Sequence, residues 1–187
     1  TPKDGESAPA NFRPLVVFGI IYRMWSSMRY QDMETWRESW LPASLRGARA
    51  NGTTHDISWQ LMLYVERALL QCSNLGGLLY DRVKCFDRML YGLSSSLAHH
   101  YGAPVQVNGA MTRLYGGLRR FLVVGQFCGK EWTSTNGPPQ GYSWSVTLIL
   151  LLMTVWSNAI QAQVPRAISS AFYDDSNVIC FTLVDLH

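Results

Sequence analysis

Two short runs rich in β-branched and aromatic residues, Ile168 to Tyr173 and Val178 to Leu183, flank the turn formers Asp174, Asp175, Ser176 and Asn177. That pattern predicts two strands joined as a hairpin, with a pair of carboxylates at its tip. Adjacent carboxylates repel, and a third nearby raises at least one pKa unless a cation neutralises the group. Hard divalent ions, which take oxygen ligands, suit such a tip. Asp-Asp is also an ordinary solvated turn, so a second acidic cluster is needed to separate the two readings.

That cluster lies upstream, in Gly77-Leu78-Leu79-Tyr80-Asp81-Arg82-Val83-Lys84-Cys85-Phe86-Asp87. Leu78 to Tyr80 fits a short buried strand. From Lys84 the pattern turns helical, with Phe86, Met89, Leu90, Leu93 and Leu97 at three- and four-residue steps. Asp81 therefore falls at a strand's carboxyl end, where ligands of open α/β sheets gather. Asp87 falls in the first turns of the next helix, where the dipole favours an acid in any case.

Around these clusters the chain reads as alternating elements. Leu15 to Phe18 is expected as a strand, and Ile20 to Tyr30 as a helix with Ile21, Met24, Trp25 and Met28 on its apolar face. Asp32 is expected to cap a short helix through Trp40, ended by Pro42. Leu45 to Thr54 is a basic, glycine-containing loop with Arg46 and Arg49. Asp56 is expected to cap a helix whose stripe is Ile57, Leu61, Tyr64, Val65, Ala68 and Leu69. Gly102 and Pro104 separate two further helices, the second ending near Arg119-Arg120. Phe121 to Phe127 reads as a strand and Gly129 to Pro139 as a loop, with Asn136-Gly137-Pro138-Pro139 a turn. His99-His100 reads as the polar end of a helix, since adjacent residues do not share a helix face. Strands, helices and a final hairpin make an α+β pattern.

Composition allows one cored domain but does not name its task. The net charge of +3 is too small to predict nucleic-acid binding. The 13 Arg against 3 Lys are more telling. Guanidinium forks grip phosphate in two-point contacts, although a base-rich genome produces the same bias. Cys72, Cys85, Cys128 and Cys180 form no Cys-x-x-Cys pair, so no zinc site is indicated, and each is read as a small buried thiol in a reducing compartment. No signal-peptide pattern is seen, and the expected site is intracellular. Trp144 to Trp156 is an apolar run of 13 residues, short of the roughly 20 a membrane span needs. A buried core helix and no membrane contact are expected.

Taken together, the motifs resemble a family. Asp81-x-x-Lys84-Cys85-Phe86-Asp87, then Gln140-Gly141 with Ser145, then Tyr173-Asp174-Asp175 resemble the successive palm motifs of reverse transcriptases. The likeness is to non-LTR (LINE-like) retroelement and group II intron-type enzymes. Asn11-Phe12-Arg13-Pro14-Leu15 resembles the family's fingers motif. The order is the family's own, and the resemblance spans about residues 10 to 185.

The resemblance implies a palm, a small antiparallel sheet backed by helices, with partial fingers before it. Residues 1–10 would be a flexible extension, 11–75 partial fingers and 76–187 palm. The implied activity is RNA-directed DNA polymerisation, adding dNTPs to a primer 3′-hydroxyl on an RNA template with two Mg²⁺, or Mn²⁺ in their place. Asp81 and Asp174 are the implied principal metal ligands, Asp175 the adjacent support, and Asp87 structural. Phe86 matches the aromatic that favours dNTP over rNTP by clashing with a 2′-hydroxyl; it also reads as a core Phe. Arg13 matches the arginine that grips the triphosphate, or is an exposed extended dipeptide with Pro14. Gln140 and Gly141 match the segment beside nucleotide and template.

Departures accompany the likeness. Tyr142, Ser143 and Trp144 replace the family's usual Cys-Pro-Leu, and could obstruct the template groove or stack on a base. Tyr80 stands where an aliphatic is usual. The sequence reaches His187 without the later palm motif, primer grip, thumb, endonuclease or RNase H, so the expectation is a palm with no thumb. The alternative is a decayed palm remnant that at most binds nucleic acid. A metal-dependent phosphatase or cyclase on a similar sheet is weaker, because the Gln140-Gly141 segment lies between the acidic clusters. Oligomeric state, template and priming mode are left open.

Overall fold

A computed structural model describes residues 16–47, 49, 52–139 and 142–181. Its centre is a helix, α7 (Ser143–Gln163), of 21 residues. Trp144, Leu148, Ile149, Leu150, Leu151 and Met153 are buried around nearly its whole circumference. A helix apolar on all sides needs cover on all sides. The apolar run is thus the expected core helix. By length and composition it would also reach across a membrane, but in this fold α1, α5 and β4 enclose it. Each fully buried Leu or Ile contributes about 1.5–3 kcal/mol relative to exposure.

The other helices are α1 (Ile20–Asp32), α2 (Glu34–Trp40), α3 (Thr54–Leu70), which packs on β4, α4 (Cys85–Arg88), α5 (Tyr91–His100) and α6 (Val105–Gly116). Gly102, with φ +76, turns the chain between α5 and α6, as expected of Gly102 and Pro104. His99 and His100 close α5. One antiparallel sheet has the order β1 (Gly76–Tyr80), β5 (Asp175–Cys180), β4 (Ile168–Phe172). On the open side of β4, Arg46 N–H donates to the Ala171 carbonyl at 2.9 Å and Ala171 N–H to the Ser44 carbonyl at 3.1 Å. The loop after α2 therefore extends the sheet. A separate hairpin, β2 (Val123–Val124) with β3 (Phe127–Cys128), projects with exposed side chains.

Several expectations are corrected. The packed face of α1 carries Tyr22, Trp25 and Ser26, while Ile21, Met24 and Met28 are exposed. Asp32 ends α1 in an ion pair with Arg29 (2.9 Å) and does not cap α2, whose N-cap is Met33, with no side-chain cap bond. The cap of α3 is Thr53, whose N–H donates to Asp56 at 2.8 Å, so Asp56 is the inner half of a capping box. On α3, Ile57, Leu61, Tyr64 and Ala68 turn inward, but Val65 and Leu69 are exposed.

The helix expected from Lys84 to Leu97 is broken at Met89-Leu90. There the Met89 carbonyl accepts from Gly137 N–H and Leu90 bridges Asn136, so the backbone pairs with a distant loop instead of continuing the helix. Phe121 to Phe127 is mostly not strand: Gly125 (φ +60) turns it into the small β2–β3 hairpin. Helix α6 ends at Gly116, before Arg119-Arg120. Val16 to Gly19 take no regular structure, and Leu15 lies outside the described residues. Leu78 to Tyr80 form a strand as expected, but an exposed edge strand, with Leu79 79 % accessible. Cys72 and Cys128 are exposed, Cys85 is half-buried and Cys180 is buried.

Candidate functional site

Strand pairing decides where the acids go. β1 runs antiparallel to β5 with Tyr80 opposite Ser176, and β5 runs antiparallel to β4 with Phe172 opposite Asp175. Asp81 leaves β1 at the end where the β4–β5 hairpin turns, as the strand-end reading requires. The two acidic clusters, over ninety positions apart along the chain, thus meet at one edge of one sheet. The turn itself differs from expectation. It is the pair Tyr173-Asp174, with Tyr173 at φ +56, and Asp175, Ser176 and Asn177 already belong to β5. A left-handed tyrosine is costly and persists only where its surroundings hold it.

Those surroundings are visible. Gly47 packs against Tyr173 so closely that a β-carbon there would stand 2.9 Å from the Tyr173 nitrogen. Behind the turn, Arg82 donates from one Nη1 to the Asp174 carbonyl and to Ser176 Oγ, both at 2.7 Å. Its guanidinium lies 5.2 Å from the Trp156 ring centre on α7. The Tyr80 ring also meets Trp156 edge-on. Tyr80 and Ser176 therefore face α7, and by strand alternation Asp175 points to the opposite face. Asp81 and Asp175 are exposed and Asp174 is half-buried. Burial, then the nearby Asp174 carboxylate, pushes the Cys85 thiol above its ordinary range, against a smaller opposing effect of Arg82. Cys85 stands beside the acids as a neutral thiol.

Donor chemistry can be tested for a divalent metal. Among the described residues, no three His, Cys, Asp or Glu side chains converge into a metal-holding group. A dedicated protein cage is thus missing. Mg²⁺ at phosphate-handling sites does not need one: it is held by one or two carboxylates plus substrate phosphates and water. Asp81, Asp174 and Asp175 offer oxygen donors at the same end of the sheet, but their three side chains do not converge into a metal-holding group.

Phe86 lies in α4, half-buried against the main core, beyond the left-handed Lys84 (φ +51). Arg13, Gln140 and Gly141 lie outside the described residues. Pro139 and Tyr142, which flank Gln140-Gly141, are described. Pro138 and Pro139 are fully buried. The Gly137 carbonyl accepts from Tyr91 Oη at 2.9 Å and from Arg120 Nη2 at 2.7 Å, and Arg120 Nη2 also donates to Tyr91 Oη. Ser145 Oγ donates to the Pro139 carbonyl at 2.6 Å. Tyr142 Oη accepts from Phe18 N–H at 2.7 Å and donates to the Val16 carbonyl at 3.0 Å.

Both large departures from the motif are thereby explained. Trp144 is a core residue, 2 % exposed and stacked on Trp36, and Tyr142 staples the segment before α1 to the start of α7. Neither reading of them as groove residues holds for Trp144. Sequence reasoning missed Gly47, Arg82 and Arg120 as site-shaping residues, and missed the hydrogen bonds of Tyr142 to Val16 and Phe18. Only Gly47 carried a signal, as a glycine in a turn-rich loop. An open cleft of about 830 Å³ is lined by Glu34, Glu38, Arg46, Arg49, Asp56 and Trp59 among others, and by none of the three strand-end acids.

This arrangement, a small antiparallel sheet with an acidic hairpin, backed by a buried helix, is a reverse-transcriptase-like α+β fold. Solved structures of a reverse-transcriptase-related enzyme, telomerase from Candida tropicalis, share it. The telomerase bound to the TWJ fragment of telomeric RNA aligns with a TM-score of 0.60 at 9 % identity, over 88 % of this chain and 29 % of that one. The apo telomerase truncated from its C-terminal domain aligns with a TM-score of 0.58 at 11 % identity, over 88 % of this chain and 34 % of that one. The chain thus spans about a third of the length of either neighbour. No protein-family model and no curated protein matches the sequence.

Proposed function

We propose that the chain is the partial fingers and palm of an RNA-directed DNA polymerase of retroelement type, acting on an RNA template, a DNA primer and dNTPs. The observation that carries this reading is the strand register that brings Asp81 to the Asp174-Asp175 hairpin. The fold likeness to telomerase, which one neighbour shows with RNA bound, supports nucleic-acid binding in the same direction.

On this reading Asp81 and Asp174 hold Mg²⁺, with Asp175 beside them. When bound, the metal pair makes the primer hydroxyl a better nucleophile and offsets charge on the triphosphate. The chain's own residues do the rest. Asp81 and Asp174 orient the reacting ends by presenting carboxylates from two separate segments. Phe86 fills the space beneath the sugar, Arg13 grips phosphate, and Gln140-Gly141 serves nucleotide and template. The buried prolines and Ser145 fix the start of α7 on which that last segment depends.

A second reading is supported by the lack, among the described residues, of three converging metal-ligand side chains: a palm that binds nucleic acid without catalysis. One experiment separates the two. Mn²⁺ binding is followed by electron paramagnetic resonance with dTTP present, for the chain and for Asp81→Asn and Asp174→Asn. Binding that either substitution abolishes, with primer extension lost in parallel, supports the polymerase. Binding indifferent to both defeats it.

A further inference from the structure

Beyond the carboxylates, one cation, Arg82, is built into the site. Arg82 follows Asp81 in sequence, yet its guanidinium crosses to the other acidic segment. One Nη1 serves two acceptors, the carbonyl of Asp174 and the hydroxyl of Ser176, both at 2.7 Å. Ser176 is buried, and the indole of Trp156 flanks the guanidinium. The bond to Asp174 is to its main chain, so the carboxylate keeps its lone pairs.

From this geometry we infer that Arg82 is a positioning residue: it locks the Tyr173-Asp174 turn to the end of β1 and so fixes the spacing between the carboxylates of Asp81 and Asp174. The inference rests on the polymerase reading for its consequence, but the lock itself does not. A two-residue turn containing a left-handed tyrosine has a natural tendency to relax. Gly47 constrains it from one side and Arg82 from the other. An arginine suits the task better than lysine, because the two N–H groups of one planar Nη1 meet two acceptors at fixed angles while the guanidinium lies over an aromatic ring. Charge-assisted bonds of this kind are roughly twice as strong as neutral ones.

The test has a metal-free arm and a metal arm. Amide hydrogen exchange of the chain is compared with Arg82→Met, Arg82→Lys and Ser176→Ala. Expected for Arg82→Met is exchange about tenfold faster, confined to residues 172–177, since a local opening reports the stability of that segment alone. Arg82→Lys should restore part of the protection, and Ser176→Ala should lose a smaller part, which covers the case of a poorly folding methionine variant. Unchanged exchange, or acceleration spread over the whole core, overturns the inference. In the metal arm, Mn²⁺ affinity with dTTP should fall about tenfold in Arg82→Met, the scale for residues that orient metal ligands. Affinity unchanged there but lost in Asp81→Asn also overturns it. Affinity unchanged in Asp81→Asn itself defeats the polymerase reading, and the exchange arm still decides the role of Arg82.

Discussion

Gly47 and Tyr173 are in backbone contact: a β-carbon on Gly47 would stand 2.9 Å from the Tyr173 nitrogen and 3.0 Å from its ring Cδ1. The loop after α2 thus rests directly on the turn that carries Asp174. Because the blocking atom is main chain, it cannot swing aside as a side chain could. Gly47→Ala is expected to destabilise the fold by about 1–3 kcal/mol, the usual cost of overpacking. Urea denaturation checks the size. A stability equal to the parent would show that loop and turn are not in contact.

Trp144 supplies the second prediction. It is 2 % exposed and stacked on Trp36, at the first turn of the central helix. Trp144→Ala should cost about 3–5 kcal/mol, whereas Trp144→Phe should cost far less. Chemical denaturation followed by circular dichroism distinguishes them. Near-equal losses in both would place the indole outside the core.

Alkaline stability provides the third. Burial raises the Tyr115 hydroxyl well above its ordinary value of 10.0. The sign follows directly. Above about pH 10 the unfolded chain loses this proton while the folded chain keeps it, so stability is complete below that pH and declines as pH rises toward the folded value. One such group accounts for about 1.4 kcal/mol per pH unit across that window. Tyr115→Phe should flatten the decline between pH 10 and 11 in urea titrations. Ser145 keeps its bond to Pro139 in that variant, so little else should change. An identical slope in both proteins would contradict the burial of the hydroxyl.

On the proposed reading, Phe86 is the residue that sets sugar preference. Phe86→Val should lower discrimination of dNTP over rNTP by about 10- to 100-fold, the scale for changes in pocket size. Its half-burial against the core predicts a modest stability loss alongside. Incorporation ratios in primer extension provide the measurement. A ratio that does not move assigns Phe86 to the core alone.

Much of this was legible from residues in order. The hairpin, the Asp81 strand end, the core helix from Trp144 and the α3 helix all follow from local periodicity and turn chemistry, which neighbouring residues determine. What escaped was set by distant partners. Met89-Leu90 leaves the helical pattern because a loop near Asn136 offers backbone pairing, and nothing local announces that. The turn moved to Tyr173-Asp174 because Gly47 and Arg82 hold a conformation that tyrosine would not choose alone. The exposed faces of α1 and α3 show the same limit. Apolar spacing predicts which residues share a face, but not which face the rest of the fold covers. The Asp81 strand end and the Asp174-Asp175 hairpin were readable by residue type and spacing, while the residues that hold them were not, since Arg82 and Tyr142 act across the fold.

The phenol of Tyr142 has a consequence for motion. Its oxygen makes both of its hydrogen bonds to one stretch far along the polymer, Val16 and Phe18, while its backbone sits just past Gly141. Whatever rocks one of these stretches must drag the other or let go of that oxygen. The entry to the first helix and the head of the central helix are therefore geared together through one side chain, by its oxygen and by its ring against Phe18 and Tyr22.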